Sequence, residues 1–153
     1  MHPNAELINS FYTSLSKLDG AAMAACYAPD ATFSDAVFQG LKNGEPGKMW
    51  RMLTSRGKDM TVVFDGIEAD DKTGQAHWVA TYTFSGSGRR VVNDIQAKFT
   101  FENGKIKTHQ DTIDLHKWMG QALGLKGTLL GWLPPVQGKL RATARAGLDV
   151  FKG

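Results

Sequence analysis

Apolar residues near the start of the chain recur at the spacing of an α-helix. Five apolar residues, separated by one, three or four positions, share one helical face: Leu7, Ile8, Phe11, Leu15 and Leu18. This spacing predicts an amphipathic helix with Asn4 as its N-cap. Asp19 is expected to cap a second helix over residues 21–27, which Pro29 ends. A third, short helix is predicted after residues 44–47, with a proline in its first turn.

From residue 31 onward, most of the apolar pattern is typical of β-strands. Extended segments are predicted over residues 31–37, 60–68, 75–84, 89–101 and 105–115. In the third of these, Trp78, Ala80 and Tyr82 share one face. Helices followed by long strands with tight turns indicate an α+β fold, in which the helices pack on one face of an antiparallel sheet.

The tail beyond Trp118 has two apolar parts and an excess of basic residues. Apolar residues over 123–133 end at two prolines, and those over 136–151 again follow helical spacing. Residues 117–153 contain six Lys or Arg and one Asp, a balance of +5, although the whole chain carries only +3. We expect the tail to pack on the sheet or against a partner copy. The alternative is a basic amphipathic helix on an anionic membrane.

Composition narrows the class of protein. The chain has 153 residues, 42% hydrophobic and 22% charged, which is typical of one soluble globular domain. A single cysteine, Cys26, favours a reducing compartment, so a cytoplasmic location is expected. There is neither a membrane-spanning apolar run nor a recognisable secretory signal. The basic tail accompanies no nucleic-acid-binding module, so we expect neither nucleic acid nor a membrane as partner.

Asp35 is the first candidate for acid–base chemistry. If residues 31–37 form a strand, Phe33, Asp35 and Val37 share one face. Burial between apolar neighbours raises a carboxyl pKa towards neutrality, as a general base or acid requires. The alternative is that Asp35 caps a turn or faces water.

The register of the last hairpin decides whether Asp111 points inward. A two-residue turn at Asn103-Gly104 puts Asp111 on the polar face, beside Gln96. A three-residue loop over 102–104 moves Asp111 and His109 to the apolar face. We favour the second register because it keeps the apolar side chains of both strands together. His109 is then the histidine best placed to assist Asp111.

Other residues are candidates for the wall of a small-molecule site. Asn93 interrupts an apolar strand face and needs a hydrogen-bond partner if it is buried. Aromatic walls with few polar groups are typical of such sites. The aromatic candidates are Phe11, Phe33, Trp50, Trp78 and Tyr82, although such residues are more often simply part of the core. Histidine and cysteine spacing shows no metal-site pattern, and no cofactor is expected.

Five segments of the chain together carry a family resemblance: residues 18–20, 27–35, 88–93, 99–106 and 109–114. They resemble the SnoaL-like branch of the nuclear transport factor 2-like superfamily. The resemblance covers about residues 5–120 of a single domain, 1–153, and leaves 121–153 as a C-terminal helical extension. It implies a cone-shaped α+β barrel, with a curved antiparallel sheet wrapped around the N-terminal helices. It also implies an apolar cavity for a small hydrophobic molecule and usually a homodimer.

The resemblance gives Asp35 and Asp111 different catalytic counterparts. Asp35 falls where the ketosteroid isomerases of this superfamily have their catalytic base. Their oxyanion-hole tyrosine and second acid correspond to Phe11 and Ala97, so steroid isomerisation is not expected. Asp111 falls where SnoaL-like polyketide cyclases have an aspartate base in the last strand.

The catalytic residues of a further enzyme of this superfamily match this chain less well. Limonene-1,2-epoxide hydrolase has an Asp-Arg-Asp triad, of which only Asp111 is present here; the other two positions are Trp78 and Ala80. The resemblance therefore implies an isomerase or cyclase in which Asp111 or Asp35 takes a proton next to a carbonyl, assisted by His109. The alternative is a non-catalytic module that binds a hydrophobic ligand or serves as a dimeric scaffold.

Overall fold

The structure is a computed structural model, and it describes residues 1–152. Helices lie at both ends of the chain, and the strands lie between them with one further helix after the first strand. In chain order they are α1 (Pro3–Ser16), α2 (Gly20–Ala25), β1 (Tyr27–Ser34), α3 (Glu45–Arg56), β2 (Thr61–Ala69), β3 (Thr73–Phe84), β4 (Arg89–Glu102), β5 (Lys105–Thr112), α4 (Leu115–Leu123), α5 (Leu125–Leu130) and α6 (Pro134–Val150).

The N-terminal helix is capped differently from the prediction. His2, rather than Asn4, caps α1, because His2 Nδ1 accepts the backbone N–H of Asn4 at 3.0 Å. Asn4 is buried instead, and its Nδ2 donates to the carbonyl of Asp70 at 3.0 Å. This bond fixes the start of α1 to the β2–β3 turn. Asp19 caps α2 as predicted.

The five strands form one curved, unclosed sheet in the order β1-β5-β4-β3-β2. Three of the four neighbouring pairs are antiparallel, as predicted. The exception is β1, which runs parallel to β5 and pairs Phe33 with His109. Alternating burial in β3 and β4 confirms the predicted inward face, which carries Ala76, Trp78, Ala80, Ile95, Ala97 and Phe99.

The β4–β5 hairpin combines parts of both predicted registers. Its turn has two residues, Asn103 and Gly104, with φ of +51° and +75°, so the predicted three-residue loop is wrong. One extra residue, Lys107, then interrupts the pairing as a β-bulge. Beyond the bulge Asp111 pairs with Ala97, which turns it to the inner face, as predicted.

The tail packs on the body of the protein. Met119 of α4 and Val91 of β4 belong to the same small apolar cluster of buried residues, and Leu148 of α6 is fully buried in the main core. Arg141 Nε donates to the carbonyl of Ala36 at 2.7 Å. The apolar side of α6 therefore faces inward. Within residues 1–152, no helix combines the length and apolar character needed to cross a bilayer.

Candidate functional site

Four buried side chains form one continuous chain of hydrogen bonds. Trp50 Nε1 donates to the Tyr27 hydroxyl oxygen at 2.8 Å, and that hydroxyl lies 2.8 Å from His109 Nδ1. His109 Nε2 lies 2.8 Å from Asp111 Oδ1. Because an indole N–H only donates, Tyr27 keeps its own proton for His109 Nδ1. The imidazole then donates from Nε2 to Asp111, so one neutral tautomer satisfies every bond.

We call the hydrogen-bonded side chains of Trp50, Tyr27, His109 and Asp111 the relay. The sheet and the aromatic core hold the relay in place. The parallel β1–β5 pair sets His109 beside Phe33, with ring centroids 4.8 Å apart. Phe99 lies 4.3 Å from the same imidazole and Phe11 lies 5.6 Å from it. The side chain of His109 is 0% exposed and that of Asp111 is 3% exposed. A carboxylate buried this deeply needs a hydrogen-bonded partner, and His109 supplies it.

Two more polar groups beside the relay are buried without any hydrogen-bond partner in residues 1–152. They are the Tyr12 hydroxyl and Trp78 Nε1, whose rings pack 5.6 Å apart. Burial raises the pKa of Tyr12 well above its usual value, and the nearby charge of Asp111 raises it further. Both groups are therefore proton donors at neutral pH. Buried polar groups in proteins nearly always have a hydrogen-bond partner, so these two donors are exceptions among residues 1–152.

Asp35 occupies a turn rather than a strand. Strand β1 ends at Ser34, and Asp35 Oδ1 accepts the backbone N–H groups of Val37 and Phe38 at 2.8 and 2.6 Å. The predicted strand over residues 31–37 is thus too long, and the turn-capping alternative is correct. Burial nevertheless raises the pKa of Asp35 to about 6, against the lowering effect of the two backbone bonds. The charge of Asp111 adds to the rise in the pKa of Asp35.

Helix α4 contributes to the same end of the site. Trp118 Nε1 donates to the Tyr82 hydroxyl at 2.6 Å. Burial raises the pKa of Tyr82, and the charge of Asp35 adds to it. Asn93 is half-buried on β4, four residues from Ala97, the partner of Asp111. The structure therefore brings Tyr82 near Asp35 but does not bring Asn93 to Asp111.

The other predicted lining residues fill the interior between α1 and the sheet. Phe11 and Trp50 have ring centroids 5.6 Å apart, Phe33 and Trp50 5.9 Å, and Trp50 and Trp78 6.0 Å. Two cavities open outside this ring packing, and Tyr27 lines the smaller of the two. One of about 620 Å³ lies on the outer face of the sheet, and one of about 240 Å³ lies between α2, β1 and α3. Neither His109 nor Asp111 lines either of these two cavities.

Three residues of the site were missing from the sequence-based prediction. Tyr27 was placed at the end of the second helix, whereas α2 ends at Ala25 and Tyr27 begins β1. Tyr12 lies four residues after Ile8 on the apolar face of α1, a spacing that would have identified it. Trp118 gave no local signal, because its role depends on how α4 folds back onto β3. No group of three His, Cys, Asp or Glu within residues 1–152 is arranged to hold a metal ion.

Comparison with known proteins agrees with this architecture. The sequence model of the SnoaL-like domain family matches residues 8–109 of this chain. The chain belongs to this family. The sequence matches no curated protein.

Solved structures with the same fold differ widely in described activity. A Catenulispora acidiphila protein with a ketosteroid isomerase-like fold, in complex with trimethylamine, is 15% identical over 84% of this chain and 98% of its own, with a TM-score of 0.69. A putative polyketide cyclase from Xanthomonas campestris is 17% identical over 78% and 96%, with a TM-score of 0.66. An epoxide hydrolase from M. tuberculosis, of the limonene epoxide hydrolase-like type, is 16% identical over 84% and 96%, with a TM-score of 0.64. At this identity the likeness establishes the fold alone.

Proposed function

We propose that this protein is an acid–base enzyme that removes a proton from a carbon next to a carbonyl group in a small apolar molecule. The observation that carries the proposal is the pair of unpartnered donors, Tyr12 and Trp78, beside the buried His109–Asp111 pair. Such a reaction needs a base near the carbon and donors near the oxygen, where negative charge develops.

Asp111 is the base in this proposal. His109 orients it through one carboxylate oxygen, and the relay through Tyr27 fixes the tautomer of His109. The aromatic surroundings exclude water from the carboxylate and from a bound carbon acid. Tyr12 and Trp78 then stabilise the enolate oxygen.

Asp35 is the second acid–base group. Its pKa of about 6 leaves it partly protonated near neutral pH, so it is able to return a proton to the product. Unlike Asp111, it is only half-buried and exchanges protons with solvent. A cyclisation or isomerisation needs such a group after the first proton has been removed. The likeness to a putative polyketide cyclase agrees with this class of reaction.

Phenols test the proposed donors because a phenolate oxygen resembles an enolate oxygen. We expect 2-naphthol and substituted phenols to bind, and Tyr12→Phe to weaken binding about 10- to 100-fold, as for one lost hydrogen bond to a charged group. Tyr12→Phe should leave stability unchanged or raise it, because the hydroxyl has no partner to lose. Ser16→Ala, which removes an exposed hydroxyl from the same helix, is the control and should bind normally. Equal affinity of Tyr12→Phe and the wild type would argue against the oxygen site.

A second candidate function is a non-catalytic module for a small hydrophobic ligand. The close ring packing of Phe11, Trp50 and Trp78 favours it, because a closed interior suits slow capture better than turnover. It predicts that Asp111→Asn binds apolar ligands as well as the wild type and that neither protein changes them.

A further inference from the structure

A patch of apolar side chains is exposed on α5 and just after it. Leu125 is 74% exposed, Leu129 59%, Leu130 39% and Trp132 62%. We call these four residues the α5 patch. Leu125 and Leu129 lie one turn apart on the same helix face, and Trp132 Nε1 donates to the carbonyl of Leu129 at 3.0 Å. The patch is therefore one continuous surface.

The patch faces outward although α5 is closely packed. Gly127 lies against α4 so tightly that a Cβ there would come within 2.0 Å of the Met119 carbonyl oxygen. His116 Nε2 also bonds to the carbonyl of Thr128 at 2.7 Å. The side of α5 that meets the protein is therefore built from glycine, and its large apolar side chains are turned to solvent.

The surroundings of the patch are cationic. Residues 115–148 contain five Lys or Arg and no Asp or Glu. Arg141 and Arg145 are engaged with Ala36 and Glu45 of the body, whereas Lys117, Lys126 and Lys139 are exposed. Lys126 belongs to α5 itself, three and four residues before Leu129 and Leu130. Leucines and a tryptophan beside an exposed lysine, in a segment without acidic residues, fit the boundary of an anionic lipid layer.

We propose that the α5 patch docks the protein on anionic lipid surfaces. Leu125, Leu129, Leu130 and Trp132 would enter the headgroup region, and Lys126 would contact lipid phosphates and carboxylates. A second copy of the chain fits the patch less well, because a two-fold contact would bring the lysines of both copies into one interface, and residues 115–148 offer no Asp or Glu to pair with them. This surface differs from the membrane helix considered over residues 136–151, whose apolar side is buried. It also revises the expectation of no membrane partner, and it does not depend on the proposed reaction.

Vesicle co-sedimentation tests the docking. Full-length protein should bind vesicles of phosphatidylcholine with phosphatidylserine, should bind pure phosphatidylcholine far less, and should dissociate in high salt. Lys126→Ala should weaken binding about fivefold and Leu129→Ala about tenfold. Lys72→Ala and Val63→Ala, which change an exposed lysine and a 71% exposed apolar residue elsewhere, are the matched controls. Absence of binding, or equal loss in the controls, would overturn the proposal.

Trp132 provides a direct readout of the contact. The other three tryptophans, Trp50, Trp78 and Trp118, are 3–8% exposed, so iodide should quench Trp132 selectively. Anionic vesicles should protect Trp132 from iodide, and Trp132→Phe should remove the accessible signal. If protein alone becomes protected as its concentration rises, together with a doubling of its mass in light scattering, the patch is a self-interface and the proposal is wrong.

Discussion

Replacing Asp35 by asparagine should stabilise the protein at neutral pH. Folding raises the pKa of Asp35 from 3.8 to about 6. Below pH 3.8 both folded and unfolded states hold the proton, so burial of the charge costs nothing. As pH rises through about 6 the folded state is forced to ionise, and the stability of the protonated form is lost. A rise of about two pKa units, at about 1.36 kcal/mol each, makes this loss about 3 kcal/mol at pH 7.

Asparagine removes the charge and keeps an oxygen for the two backbone N–H groups of the turn. In a chain of this size, about 3 kcal/mol corresponds to a rise in Tm of about 6–12 °C. Urea unfolding of the wild type and Asp35→Asn from pH 4.5 to 7.5 measures the difference, which should grow with pH. Asp19→Asn changes an exposed capping carboxylate in the same way and should show no such growth. A variant less stable than the wild type at pH 7, or a difference independent of pH, would refute this reasoning.

Three other predictions follow from particular contacts. Tyr27→Phe leaves the Trp50 N–H and His109 Nδ1 without partners and should cost about 2–6 kcal/mol in urea unfolding; a cost equal to that of Tyr82→Phe would contradict the relay. Hydrogen bonds to Asp65 and Asp94 raise the pKa of His77, so its contribution is complete below pH 6.5 and is lost as pH rises through the higher folded value. His77→Gln should flatten this decline of stability above pH 6.5, and an unchanged slope would contradict it. Gly127→Ala should lower the Tm because no space exists for its Cβ, whereas Gly138→Ala, with open space, should not; equal Tm values would show that α5 is loosely held.

The elements that local pattern determines could be predicted from the sequence. Alternation in β3 and β4 identified the inward face, and Asp19 identified the start of α2, because both depend on residues a few positions apart. The direction of Asp111 was predicted correctly for the wrong reason. A two-residue turn followed by a bulge at Lys107 turns Asp111 to the same face of the sheet as a three-residue loop would. The bulge could not be predicted because bulges have no reliable sequence signal.

The set of residues that meet in the site could not be predicted, because it depends on contacts between residues that are distant in sequence. Tyr27 and His109 are 82 residues apart, and only the parallel pairing of β1 with β5 brings them together. Asp35 lies in a turn and not in the predicted strand, which ends at Ser34. It caps a turn, and it is also buried enough for its pKa to rise to about 6. The closed aromatic packing of the interior was not expected, since a list of apolar residues does not show whether they line a space or fill it.

The central claim is that Asp111 is a base for carbon acids. The most direct measurement follows hydrogen–deuterium exchange next to the carbonyl of cyclic ketones and β-diketones in D₂O by proton NMR, because exchange reports proton removal even without net reaction. Wild-type protein should accelerate exchange, Asp111→Asn should lose about 10²- to 10⁴-fold of that acceleration, and Asp94→Asn, on the outer face of β4, should retain it. Acceleration that survives in Asp111→Asn, or that is absent from the wild type with ketones shown to bind, would contradict the assignment.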